Sequence, residues 1–373
     1  MEATLGEQTA VGFSAGTEGP EQRQELEASD EAVTFMSGIE PAELQKCVFA
    51  DSLVTVSEGG RELGEFSVTV EFARREQPCM MLHAQSHGAI DDCPCGTAVT
   101  AYLTTDLDVL EEDHHEYVKL EGHSVDKRCH MVQCDGQMVI HKVVGEREEV
   151  TEESMSYPMS VLRGLVTEGS SLLLMRLIAL RRKMPENMTF VSLDPGLHII
   201  NTSFRELDQR QLEVGGELLD VFGVERIIQS MEGSPSTWQC YFLDDGHLVT
   251  RVQVGSPVTM RLLELPSKAE KGYTHPPHTY SHIRGMIPMK DSIPLVWEED
   301  MQMRSKFLDR KEELKADHSS YLRQHPEIRA LISDFLQLLL LRKPDDVFLF
   351  AREYFTPFAS NHPADADQEA QSL

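Results

Sequence analysis

Gly12-Phe13-Ser14-Ala15-Gly16 has the Gly-x-Ser-x-Gly spacing of a nucleophile elbow. That motif works only when a strand before it and a helix after it hold the serine exposed on a strained turn. Here it lies in a leader rich in Gly, Glu, Ser and Thr, so Ser14 is not expected to attack anything. Cys93-Pro94-Cys95 and the pair Cys129 and Cys134, with His83, His87, His123 and His130 nearby in sequence, raise the question of zinc. Structural zinc takes four Cys or His ligands, usually from Cys-x2–4-Cys pairs. A Cys-x-Cys followed by a Cys-x4-Cys fits poorly, and small buried residues beside surface histidines are the simpler reading. His275-Pro276-Pro277-His278 separates its imidazoles by an extended Pro-Pro step. Glu111-Glu112-Asp113 and Glu298-Glu299-Asp300 read as solvated charge. There is no phosphate-binding glycine loop, dinucleotide fingerprint or His-Glu-x2-His sequence. No catalytic, cofactor-binding or metal residues are expected, and the chain does not read as an enzyme.

Bulk properties narrow the partner classes. The chain has 373 residues and a formal charge of −28. Such a field disfavours nucleic acid and anionic lipid, which both need a basic surface, and suits basic partner surfaces. No apolar run reaches the roughly 20 residues of a membrane span. The nearest, Leu172 to Leu180, is interrupted by Arg176. No signal peptide is visible, so the seven cysteines read as reduced thiols of a cytosolic protein.

The elements that would position these residues follow from hydrophobic periodicity. Residues 1–45 have few large apolar groups and are expected to be a disordered acidic leader. From 46 to 266 the texture is that of a β-rich α+β domain. Phe66, Val68, Val70 and Phe72 alternate with polar residues, the mark of a half-buried strand. Asp135-Gly136 and Asp245-Gly246 each join two strand-like runs, a strong hairpin signal. Further strands are expected at Glu116–His123, Thr189–Leu193, His198–Arg205, Gln211–Phe222 and Pro257–Leu265. Between the hairpins, Pro158 to Lys183 is helical in pattern, with a break expected at Gly169. Strands, helix, strands predicts a large antiparallel sheet curled around a central helix. Residues 267–297 read as a Pro-rich linker, and 298–325 as a charged, solvated helix with an apolar edge at Met303, Phe307 and Leu314. Residues 359–373 read as a disordered tail.

The strongest pattern lies at 326–358. Ile328, Leu331, Ile332, Phe335, Leu338 and Leu339 share one helical face, and Leu336 and Leu340 widen it. After Arg342-Lys343-Pro344, Val347, Phe350, Ala351 and Tyr354 line a second helix, with Phe355 beside them and Pro357 as its stop. A hairpin of this size cannot bury its own apolar surface, because chains below about 40 residues rarely fold without help. It is therefore an association device: two copies pack one face together and leave another for a third helix.

This segment resembles the dimerisation/docking domain of type II regulatory subunits of cAMP-dependent kinase, through Pro344-x-Asp346 and Phe350-Ala351-x-Glu353-Tyr354-Phe355-Thr356. The resemblance implies an X-shaped four-helix bundle whose groove grips an amphipathic helix of an anchoring or radial-spoke protein. It departs from the pattern at Asp345, Phe348 and Leu349. No cyclic-nucleotide domain accompanies it, so the kinase role does not carry over. Over about 35–360, supported by Glu298–Leu308 and the β-rich body, the chain also resembles a ciliogenesis-associated family named for binding a tetratricopeptide-repeat partner. That likeness implies a scaffold or adaptor in cilium or flagellum assembly, linked to actin organisation and axonemal radial spokes. It places the protein in cytoplasm, cytoskeleton and axoneme, with nuclear or plasma-membrane association left open. It implies homodimers or heterodimers through the hairpin. The alternative from the residues is a carrier, in which the sheet and its apolar helix (Leu162, Leu165, Val166, Leu172, Leu173, Leu177) enclose a lipid or other hydrophobic ligand.

Overall fold

The computed structural model describes residues 26–90, 93–147, 149–231, 233–265, 300–344 and 346–359. The motifs at Gly12–Gly16 and His275–His278, the expected linker and nearly all of the expected tail lie outside them. Two short helices, α1 (Asp30–Ser37) and α2 (Pro41–Lys46), lead into β1 (Ala50–Ser57), β2 (Glu62–Arg74), β3 (Pro78–Ile90), β4 (Cys93–Leu103), β5 (Val109–Leu120), β6 (His123–Cys134), β7 (Gln137–Glu146) and β8 (Glu149–Pro158). Helix α3 (Glu168–Arg181) follows. Then come β9 (Thr189–Leu193), β10 (Ile199–Val214), β11 (Glu217–Ile228), β12 (Ser236–Phe242), β13 (Leu248–Gln253) and β14 (Val258–Arg261). Three helices, α4 (Met301–Gln324), α5 (Pro326–Arg342) and α6 (Val347–Ala359), complete the described chain.

All fourteen strands form one antiparallel sheet, in the order β8-β7-β6-β5-β4-β3-β2-β1-β14-β13-β12-β11-β10-β9. Two meanders, one on each side of α3, are zipped together where β1 pairs with β14, Val54 opposite Arg261 and Ser57 opposite Val258. The expected α+β architecture is the one observed. Both Asp-Gly pairs turn between strands, but only the first is a tight turn: Asp135 and Gly136 both take left-handed backbone, with φ of 50° and 76°, whereas Gly246 alone does so in the longer loop from Phe242 to Leu248. The Asp135-Gly136 geometry matches the twist of a two-residue hairpin.

Helix α3 fills the concave side of the curled sheet. Eleven consecutive residues, Gly169 to Ala179, are buried, consistent with a helix that is apolar on every side. It starts later than expected. Thr167 is its N-cap, exchanging hydrogen bonds with Ser170, and Arg182 closes it in a left-handed conformation. Gly169 therefore lies inside the helix rather than breaking it. A Cβ there would stand 2.7 Å from Ala101 Cβ and 2.8 Å from Glu112 Oε2, so glycine is what lets helix and sheet approach.

Three further expectations change. Residues from Asp30 onward, placed in the leader by composition, form α1 and α2, whose Ala32, Phe35, Met36 and Leu44 join the main core. The single strands expected at Gln211–Phe222 and Glu116–His123 each contain a turn, the first at Gly215-Gly216 between β10 and β11. The charged helix α4 is not solvated all round; it lies across the convex face, touching β2 to β5.

The two ends of the sheet are treated differently. The outer side of β9 is covered: Val166 N–H donates to Val191 O (2.8 Å), Val191 N–H to Gly164 O (3.2 Å) and Ser29 N–H to Thr189 O (2.8 Å). At the other end, among the described residues, β8 pairs only with β7. Side chains draw the ends together, with Tyr157 donating to Leu197 O (2.8 Å) and Lys142 to Pro195 O.

Candidate interaction surfaces

The C-terminal hairpin is positioned by α4. Asp300 caps α4, accepting from the N–H groups of Gln302 and Met303. Met301 then packs into a small cluster with Cys79, Met81 and Tyr102 on the convex face. One turn on, Ser305 is 2% exposed and accepts a hydrogen bond from Thr100 Oγ1 (3.1 Å), which is itself 2.9 Å from His83 Nδ1. Asp309 Oδ1 stands 3.6 Å from His83 Nε2. Burial pushes His83 down to about 4 and Asp309 up to about 7, the latter aided by the nearby Asp113 carboxylate. Farther along, Ala316 is buried and Arg323 binds Glu65 (2.7 Å) and Glu62 (3.4 Å) on β2. The docked face is thus apolar at its first turns, through Met301 and Leu308, and small or polar at Ser305, Asp309 and Ala316. The apolar edge of Met303, Phe307 and Leu314 points the other way, each at least 40% exposed.

One residue, His325, ends α4 and begins α5. Pro326 fits the first turn of α5, where its missing N–H is not needed. Lys343, left-handed at φ 46°, closes α5 by donating to Leu339 O (2.8 Å). Asp346 Oδ1 accepts from Leu349 N–H (2.9 Å) at the start of α6, which runs through Pro357 to Ala359 instead of stopping at the proline.

Phe335 joins the two helices, with ring centroids 6.1 Å from Phe350, 5.2 Å from Tyr354 and 5.1 Å from Phe355. Ile328, Leu331, Phe335, Leu338 and Leu339 of α5 and Phe350, Ala351, Tyr354 and Phe355 of α6 are half-buried. Ile332 and Val347 instead face solvent, with Leu336, Leu340, Leu341, Phe348 and Leu349; Phe348 is 89% exposed. No residue of α5 is buried. Within one copy the candidate association residues therefore split into a half-closed seam and an open apolar face.

The chemistry-bearing motifs are dispersed by the sheet. Cys129 and Cys134 are five residues apart on one strand, and odd spacings point to opposite faces. Cys93 and Cys95 are half-buried in β4, opposite Ile90 and Gly88. Among the described residues, no group of three or more His, Cys, Asp or Glu side chains is arranged to hold a metal. Glu111-Glu112-Asp113 is not solvated charge, because Glu112 and Asp113 are 1% and 3% exposed. Alternation sends Glu112 inward, where Thr167 Oγ1 and Gly169 N–H donate to it. Burial pushes its carboxyl up to about 7 despite those donors. Next to it, burial alone would raise Glu168, but Arg226 and Arg251 hold it down to about 2, each 2.6 Å away.

Sequence reading missed one more buried network. Arg176, 2% exposed, donates to Asp51 Oδ2 (2.7 Å), Cys47 O (3.0 Å) and Phe49 O (3.1 Å). His247 Nδ1 lies 2.6 Å from the other Asp51 oxygen. The charge inside an otherwise apolar run was its signal: a buried arginine demands a partner.

Residues 31–257, the central helix and the sheet up to β13, match the profile of the family described as "Ciliogenesis-associated TTC17-interacting protein, N-terminal domain". The chain belongs to this family. Proteins bearing that family name are 51% identical in Danio rerio (93% of this chain, 97% of the relative), 44% in Xenopus laevis (91% and 89%) and 37% in Homo sapiens (93% and 88%). Among solved structures, a β-barrel-like protein of a domain of unknown function from Brucella abortus aligns at a TM-score of 0.37 and 10% identity, over 58% of this chain and 95% of that one. The family profile stops before α4, so α4, the strap across the sheet, and the hairpin lie C-terminal to the matched domain.

Proposed function

We propose that this protein is a non-enzymatic adaptor in ciliogenesis that binds a tetratricopeptide-repeat protein of the TTC17 type. Membership of the family supports the cilium-related role, and the relatives' name supports the partner. In this reading the hairpin of α5 and α6 self-associates, as a homodimer or with a relative, and the paired hairpins dock an amphipathic helix of an anchoring or radial-spoke protein. The observation that carries this is the hairpin itself, whose longer helix buries none of its residues within one copy. A link to actin organisation and to the axoneme belongs to the same proposal. The alternative reading, a carrier of a hydrophobic ligand, would place that ligand against Leu172, Leu173, Leu174, Leu177 and Ile178, which are all buried between α3 and the sheet. No helix among the described residues is long and apolar enough to cross a membrane. Titrating the full chain against purified TTC17 by calorimetry tests the partner. Saturable binding at micromolar concentration is expected, and no heat at tens of micromolar contradicts it.

A further inference from the structure

The two ends of the sheet differ in a way the adaptor reading does not use. One terminal strand, β9, has its outer main chain occupied by the segment Gly164–Val166 and by Ser29. The other, β8, has no such cover: from Glu149 to Ser156, among the described residues, no main-chain hydrogen bond leaves the β7–β8 ladder. The ladder is regular over ten residue pairs, Gln137 opposite Pro158 to Glu146 opposite Glu149, with no bulge. Residues Glu149 to Ser154 are exposed on both faces of the sheet, Val150 by 65%. Strands protect free edges with proline, bulges, charged side chains or a covering segment. Within Glu149–Ser156, β8 has no proline or bulge, and its protection is glutamate charge alone, which repels an acidic strand but not a basic one. A row of unpaired N–H and C=O groups on a flat strand is the template to which an added strand binds.

Charge selects the occupant. The stretch from Glu146 to Glu153 contains five glutamates and one arginine, Arg147. Glu146 and Glu149 are direct cross-strand partners, an arrangement that destabilises a ladder. Glu153 is shared with Lys142 at 3.7 Å, and Glu152 stands opposite the apolar Val143. A second copy's β8 would bring the same glutamates against these, so pairing between copies is opposed. A strand carrying Lys or Arg meets matching charge on both faces. We infer that the free edge of β8 takes up an extended basic segment of another protein as an added strand, with main-chain hydrogen bonds supplying affinity and Glu149 and Glu152 supplying selection.

The test uses the full chain and a synthetic seven-residue peptide of alternating lysine and valine. Two controls accompany it: a version with glutamate for lysine, and a lysine version N-methylated on alternate amides, which keeps charge but removes strand hydrogen bonds. Hydrogen exchange on the free protein is expected to show alternate amides of 149–156 exchanging fast, and the basic peptide to protect them. Binding is expected to fall about tenfold or more for both controls and for Glu149→Lys/Glu152→Lys, whose melting temperature is not lowered, because both side chains are exposed and Glu149→Lys relieves the repulsion from Glu146. Edge amides already protected in the free protein would mean that its own chain covers β8, and would overturn the inference. Equal binding of the N-methylated peptide, or protection confined to other segments, would overturn it too.

Discussion

Glu112 shows how one buried side chain ties the sheet to its central helix. It accepts from Thr167 and Gly169 at the start of α3, where a carboxylate suits the helix dipole, yet burial keeps its pKa near 7. A folded-state pKa raised from 4.5 to about 7 means that folding takes up a proton between those values. Its contribution is therefore fully present below about pH 4.5 and lost as pH rises to about 7, on the order of 3 kcal/mol. Glu112→Gln should flatten the fall in melting temperature between pH 5 and pH 8; an unchanged slope would show that Glu112 is ionised throughout. Glu168 has the opposite sign, so its contribution is lost only as pH drops from 4.5 towards 2. Arg176→Met strands Asp51 in the core beside His247, and chemical denaturation should register a loss of about 3–5 kcal/mol. A loss under 1 kcal/mol would mean that Asp51 needs only the histidine.

Among elements, α4 is the least conventional. It docks through Met301, Ser305, Asp309 and Ala316 while Met303, Phe307 and Leu314 face outward, so hydrophobic burial anchors its first turns and close fit the rest. Ser305→Arg places a long cation against Thr100, with Arg304 beside it. Amides of Met301–Gln324 should then exchange faster while those of β9 to β13 keep their protection. Unchanged protection of α4 would show that the Arg323 end holds it alone. The same helix explains part of what sequence could reveal. The paired Asp-Gly turns, the alternation in β2 and the apolar helix α3 were legible because local chemistry alone specifies them. Strands β3 and β4 were not, because α3 covers one face and α4 the other: Met80, Met81, Leu82 and His83 are all buried, and so are Val99 to Leu103. A strand buried on both faces has no period to read. The apolar faces of α5 and α6 were legible for the converse reason, since among the described residues they are covered only in part, by each other. The split between an inner seam at Phe335 and an open face at Ile332 and Phe348 depends on the rotation of α6 against α5, which no local pattern encodes.

At the scale of the whole molecule, a closed body and an open hairpin divide the work. The body packs one continuous core around α3, and α4 runs from its convex surface into α5 with a single residue between. Self-association of the hairpins would hold two bodies at a separation set by α4. Leu331→Asp or Phe350→Asp puts a charge on the half-buried seam and should abolish that pairing without unfolding the sheet, because neither residue touches the main core. The deciding measurement is sedimentation equilibrium of the full chain across a concentration series, beside Leu331→Asp. The wild-type mass should rise to twice the 42.1 kDa of one chain at micromolar concentration, while the variant stays at one chain. A wild-type protein that remains monomeric at tens of micromolar, or a variant that pairs as well as wild type, would contradict self-association through the hairpin.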